Sequence, residues 1–266
     1  LKGEFGKYLV VFLLMVLTIG FVSGFLVADG SMLKAYDESF DKYNIENGNF
    51  RTAEKVYRSQ WKDIEAAGVK LYENYYIEEA LDNGSTMRFF KNREQVNKVC
   101  LMKGEMPSEQ GEIAIDRMYA DNNSLQVGDT LTRGKKFWKI TGLVALSDYS
   151  ALFQNNNDSM FDSVKFGVGI VTPEEFETLD QEKLQYNYAW IYDQQPVDEK
   201  EEKEVSEDLM EDIGKVVNLE TFVPRYLNQA IIFTGDDMGG DKAMVVMLLY
   251  IVIVIMAFVF GITISN

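Results

Sequence analysis

Two stretches of the chain carry no charge and no polar alternation. Tyr8 to Ala28 (YLVVFLLMVLTIGFVSGFLVA) is about 21 residues long, which at a rise of about 1.5 Å per residue matches a bilayer core. Ala243 to Asn266 (AMVVMLLYIVIVIMAFVFGITISN) is the second such run. Both are predicted to be membrane-spanning helices, and everything between them alternates between apolar and polar positions. After the first run, Leu33, Tyr36, Phe40 and Tyr43 recur at helical spacing, so the helix is predicted to continue outward as an amphipathic stalk.

Beyond the stalk the period switches between 2 and 3.6. A strand near Asn49 to Val56, a helix over SQWKDIEAAG closed by Gly68, one long strand over VKLYENYYIEEAL, a turn at Asp82-Asn83-Gly84 and a strand over STMRFFKN form a predicted βαββ unit. A second unit follows later. Phe166 to Val171 is a short apolar strand, Thr172 caps a helix with Pro173 at its first position, and Tyr186 to Tyr192 is a strand. A long helix then covers VDEKEEKEVSEDLMEDIGKVV, with Val205, Leu209, Ile213 and Val216 as its apolar stripe and the charge run as its solvated face. Between the units GEIAI reads as a strand, DRMYADNN as a helical turn, VGDTL as a strand, and KKFWKITGLVAL as a longer strand pairing back across Arg133-Gly134.

Composition narrows the chemistry. Histidine is absent, which removes Ser-His-Asp and Cys-His catalysis, histidine general bases and the commonest zinc and haem ligands. Carboxylate or lysine chemistry is what remains for an enzyme, and no recognisable pair stands out. Of 26 basic and 42 acidic residues only Lys2, Lys7 and Glu4 precede the central region, leaving it at about −17. That charge disfavours nucleic acid and anionic headgroups and suits a cationic or amphiphilic partner, or simply a soluble surface. Cys100 is the single cysteine, so no internal disulfide can form, and NKVCLM suggests a buried apolar role for it.

Three motifs bear on chemistry and packing. The stretch with Asp116, Asp121, Asn122, Asn123 and Asp129 looks like a metal loop, but Leu125 and Gln126 stand where a calcium loop needs an oxygen ligand and glycine. Asn122 and Asn123 fit a helix C-terminus, where Asn tolerates a left-handed conformation, and Gly128-Asp129 a turn. GDDMGGDK (Gly235 to Lys242) lacks phosphate-loop spacing, and Ala243 replaces the magnesium-binding Ser or Thr, so it reads as a loop or helix start at the membrane surface. Gly20 with Gly24, and Ala257 with Gly261, offer small faces for helix packing. No catalytic, cofactor-binding or metal residue is assigned.

Lys2 and Lys7 place the N-terminus on the cytoplasmic side, and hence the central domain outside. A cleaved leader is disfavoured, because the apolar run is too long for one and no A-x-A precedes Asp29. Leu1 is not an initiator Met and the chain ends with the second helix, so it reads as a piece of a longer membrane protein.

The chain sets EFGKYLVVFLLMVLTIGFVSGF at the entry, KGEMPSEQGEIAIDRMYADNNSLQVGDTL with FWKITGLVALSDYSALF in the middle, and FVPRYLNQAIIF through the last helix at the exit. In these stretches and in the order of its parts it resembles the MacB/FtsX-like permeases of ABC transporters. The resemblance implies an α+β extracytoplasmic domain of two parts, a Porter-like α/β part with an inserted β-rich Sabre-like part. The expected divisions are a transmembrane helix over 1–28, stalk and first Porter-like half over 29–100, the Sabre-like insert over 101–165, the second Porter-like half over 166–242, and a transmembrane helix over 243–266. It further implies a multi-pass cell-membrane protein with both ends of this piece cytoplasmic, whose outer domain couples ATP-driven helix motion (mechanotransmission) to export or handling of a peptide, lipoprotein, drug or other amphiphile. Implied partners are a cytoplasmic ABC ATPase subunit, which would hold the ATP and magnesium, a second permease copy or half, membrane lipids and an extracellular peptide or amphiphile, with no nucleic acid. No enzymatic activity is expected of this chain itself. The alternative is a membrane-tethered sensor or adhesion domain without an ATPase. Any ligand is expected in the crevice between the two α/β halves and the insert.

Overall fold

The computed structural model describes residues 5–265. Leu1, Lys2, Glu4 and Asn266 lie outside the described residues. Two compact units are formed, one by residues 39–233 and one by the helical segments before and after them.

In the helical unit, helix α1 (Phe5–Lys42) and helix α6 (Gln229–Ser265) are each long and apolar enough to cross a membrane. Only 6% and 11% of their most apolar windows are buried, so neither is the core helix of a soluble protein. The α1 helix runs on without a break past Ala28, with Leu33, Tyr36 and Phe40 half-buried and Lys34, Asp37 and Glu38 exposed. GDDMGGDK is neither a loop nor a helix start. It lies inside α6, which begins at Gln229, and its Gly235 packs against α1: a Cβ there would stand 2.6 Å from the Tyr36 ring. Beside Gly20, Gly24 and Gly261 a Cβ would meet nothing within 4 Å, so these small faces are open.

The other unit contains two sheets. Strands β1 (Gly48–Thr52), β2 (Val69–Glu73), β10 (Tyr186–Tyr192) and β11 (Leu219–Pro224) form a four-stranded antiparallel sheet in the order β11-β1-β10-β2. Its apolar face buries Phe50, Leu71, Tyr188 and Trp190 under helices α2 (Arg58–Glu65) and α5 (Glu199–Val216). Leu209 and Ile213 of the α5 stripe are buried there, with Val205 and Val216 packed at the edge.

The second sheet has seven strands: β3 (Tyr76–Ala80), β4 (Thr86–Lys91), β5 (Cys100–Gly104), β6 (Glu112–Asp116), β7 (Thr130–Arg133), β8 (Lys136–Ala145) and β9 (Phe166–Val171). Their order is β3-β4-β9-β6-β8-β5, with β7 paired to β8. Helices α3 (Arg117–Asn122) and α4 (Pro173–Phe176) complete its core, in which Trp138 packs against Phe89 at 4.9 Å between ring centroids.

The expected βαββ unit is split between the sheets. VKLYENYYIEEAL is two strands, because the chain crosses at Asn74-Tyr75: Asn74 N still donates to Asn187 O in the first sheet (2.9 Å), whereas Tyr76 pairs with Phe90 in the second. The sheet holding most of the 101–165 segment therefore also takes in β3, β4 and β9. Two strands have no counterpart in the sequence reading, the edge strands β5 and β11. Residues 101–104 of β5 are all exposed, and β11 is mostly half-buried, so neither shows the alternation of a strand with one covered face.

Candidate functional site: a polar crevice between the two sheets

The Asp/Asn stretch that opened the question of metal binding is occupied with caps and turns. Asp116 accepts from Met118 N and Tyr119 N as the α3 cap, Asp121 pairs with Arg117, and Asp129 accepts from Gln126 N. Asn122 donates to Met118 O and Ser163 Oγ, and Asn123 to Tyr119 O. The left-handed residue after α3 is Ser124 (φ 56°), while Asn123 keeps φ −100°, a one-residue correction to the expected helix end. Among the described residues no group of three or more Cys, Asp or Glu side chains is arranged to hold a metal. Cys100 is half-buried rather than buried, since β5 is an edge strand, and its thiol lies 3.8 Å from Met102 Sδ.

Functional interest moves to where the chain leaves α1. The turn Tyr43–Asn47 is clasped by residues 95–98. Asn44 and Asn97 are both left-handed (φ 50° and 48°), Asn97 N donates to Asn44 O and Lys98 N to Tyr43 O. The Asn97 amide binds Glu46 twice, accepting from its N–H (3.0 Å) and donating to its Oε2 (2.6 Å). Asn49 donates to the other Glu46 oxygen at 2.6 Å. Arg225, just after β11, reaches back to Glu46 O and Ile45 O, and its own N–H donates to Asn47 O. Gly48 has to be glycine, because a Cβ there would lie 2.2 Å from the Trp190 ring.

Glu46 is buried, and this desolvation, reinforced by the charge of Asp148, pushes its carboxyl up from 4.5 to about 7 against the opposing hydrogen bonds from Asn49 and Asn97. Asp148 is itself buried in a bidentate pair with Arg93.

A cavity of about 450 Å³ opens beside this junction. Its first wall is the polar face of the four-stranded sheet: Asn49 and Arg51 of β1, Asn187 of β10 and Thr221 of β11. Its second wall is Tyr76 of β3, Arg88 of β4 and the loop carrying Asp148, Tyr149 and residues 153–157. Arg88 is held by Glu78, the Tyr149 hydroxyl (2.6 Å) and Gln154 O (2.7 Å), with its guanidinium 4.3 Å from the Tyr76 ring centroid. Burial pushes the Tyr149 hydroxyl up to about 12, so it stays a protonated donor and acceptor. Arg51 pairs with Glu220 (2.8 Å) and donates to Tyr76 Oη.

Every carboxylate at the cavity and the junction is thus committed to a guanidinium or an amide, which makes this a surface for hydrogen bonding. Two amides are less well served. Asn187 is 8% exposed with no side-chain partner among the described residues, and Asn74, 5% exposed, leaves Oδ1 unpaired. An oxygen buried without a partner, as at Asn74, costs about 1–3 kcal/mol, whereas the Asn187 amide faces the cavity. Of these groups only the general location was legible in the sequence. Arg51, Arg88 and Asn187 lie too far apart along the chain to be grouped by spacing.

The same 148–156 loop grips the start of α6. Ser150 Oγ donates to Ala230 O and Ile231 O, Gln229 N donates to Asn156 Oδ1, and Phe153, Phe161 and Phe233 pack edge-on at 5.4–5.7 Å between centroids.

Two of the solved structures to which the chain is similar show the likeness. One is the extracellular domain of the noncanonic ABC-type transporter YknZ from Gram-positive bacteria, 10% identical with a TM-score of 0.36, covering 66% of this chain and 100% of that one. The other is the periplasmic region of MacB from Actinobacillus actinomycetemcomitans, 11% identical with a TM-score of 0.34, covering 64% of this chain and 85% of that one. No family model and no curated protein matches. At these scores the likeness is partial and says nothing of ligand or partner.

Proposed function

We propose that the chain belongs to an ABC transporter permease, with residues 39–233 outside the membrane and both helices leading to the cytoplasmic side. A separate ATPase subunit supplies ATP hydrolysis, and the chain works beside a second permease copy or half. The observation that carries the reading is mechanical. The α1 helix feeds β1, α6 emerges after β11, and β1 and β11 are hydrogen-bonded neighbours whose junction-side ends pair at Gly48 and Pro224. Arg225 ties the outgoing segment to the incoming one through Ile45 O, Glu46 O and the Phe40 ring. A shift of either helix is therefore delivered to one strand pair, and through the 148–156 loop to the second sheet as well. The sequence resemblance points the same way, and the names of the two similar structures accord with it. On this reading the outer domain couples helix motion to handling an extracellular molecule. Purification of the whole protein from its native membrane tests the assignment: an ATPase carrying a phosphate-binding loop is expected to co-purify. Its absence under conditions that preserve other transporter complexes would leave a tethered sensor as the better account.

A further inference from the structure

The four-stranded sheet treats its two faces differently. One is packed with aromatic side chains, whereas the other sets Asn49, Arg51, Asn187 and Thr221 against a cavity instead of a core. The guanidiniums at that cavity are neutralised locally, Arg51 by Glu220 and Arg88 by Glu78, so a free anion finds no uncompensated positive charge, and Glu46 at its edge is held by the amides of Asn49 and Asn97. An acyl chain would bury the Asn187 amide against hydrocarbon and leave it unsatisfied. Asn187 presents both a donor and an acceptor, neither used among the described residues, and Arg51 keeps Nη2 free beside the nitrogens that bind Glu220 and Tyr76. A hydroxyl both donates and accepts, so neighbouring hydroxyls on one ring can satisfy the two ends of an amide and a guanidinium edge together. The volume, about 450 Å³, falls within the range of small-molecule pockets.

We infer that the crevice between the sheets is a binding site for a neutral, polyhydroxylated ligand of the saccharide class, read by Asn187 and Arg51. This holds whether the chain serves a permease or a tethered sensor, so failure of the ATPase co-purification would not touch it.

The test is calorimetric titration of the full chain in a zwitterionic detergent without a sugar headgroup. The probes are cellobiose, N,N′-diacetylchitobiose and trialanine, each taken to about 10 mM, well above a millimolar Kd. At least one disaccharide is expected to bind and trialanine is not. Asn187→Leu and, separately, Arg51→Met should each weaken disaccharide binding by about tenfold or more, the loss of one well-made hydrogen-bond set. Each should keep the wild-type tryptophan emission, which makes Arg51→Met the working variant if the leucine perturbs the sheet. Absence of disaccharide binding, binding unchanged in both variants, or binding of trialanine alone would overturn the assignment, the last in favour of a peptide.

Discussion

Replacing Glu46 with glutamine should make the outer domain more stable at neutral and alkaline pH. The folded carboxyl holds its proton up to about pH 7, against an ordinary 4.5. The folded state therefore binds the proton more tightly than the unfolded chain, and stability is greatest below pH 4.5 and is lost as pH rises through 7. At about 1.36 kcal/mol per unit, ionised Glu46 costs roughly 3 kcal/mol by pH 8. Glutamine keeps the neutral form. Asn97 cannot reverse its amide, because its oxygen already accepts from Glu46 N, but Asn49 can turn to accept from the new amide. Other charges at the cluster, Asp148 and Arg93, remain in both proteins. So does Asp116, which burial raises from 3.8 to about 6: the stability it loses between those values stays lost at higher pH in both proteins and cancels in the difference. Trp61, Trp138 and Trp190 all lie within residues 39–233, so thermal unfolding followed by tryptophan fluorescence of the full chain reports this unit. For a domain of this size about 2–4 °C per kcal/mol is expected, hence a Tm gain of roughly 6–12 °C for Glu46→Gln at pH 8, shrinking towards zero near pH 4.5. Parallel wild-type and variant curves between pH 5 and 8, or a variant less stable at pH 8, would refute the argument that burial dominates this carboxyl.

Other substitutions probe separate links. Gly235→Val should drive a side chain into the Tyr36 ring and loosen the α1–α6 pair by about 1–3 kcal/mol, read as faster amide exchange around 230–240, with Tyr36→Ala restoring protection. Trp138→Phe removes the donor to buried Glu175 Oε1 (2.8 Å) and should cost about 1–3 kcal/mol in urea unfolding, more than its loss of apolar area explains. Leu209→Ala opens a cavity under α5 and should cost about 2–5 kcal/mol by the same measurement, whereas exposed Met210→Ala should change little. Arg225→Ala frees the carbonyls of Ile45 and Glu46, and hydrogen exchange should rise within 43–48 while the β6–β8 ladder keeps its protection.

What could be read from the sequence follows from how locally each feature is encoded. Apolar runs long enough to cross a bilayer, the α5 stripe, the Thr172 cap with Pro173 and the β7–β8 hairpin all depend on residues within one or two turns of each other, and each appears in the structure where the pattern placed it. Partner choice among strands is not encoded locally. Nothing in VKLYENYYIEEAL marks Asn74 as the point where the chain changes sheets, because both halves alternate equally well. Only the presence of β10 on one side and β4 on the other divides them. Likewise Asn49, Arg51 and Asn187 look like ordinary polar strand positions, and it is the second sheet facing them that turns exposed amides into a cavity wall. Glu46 is one of many acidic residues in the sequence. Tertiary burial beside Asp148, with the Asn97 clasp around it, gives this one a carboxyl that titrates near neutrality, since desolvation depends on what closes over a group and not on its neighbours along the chain.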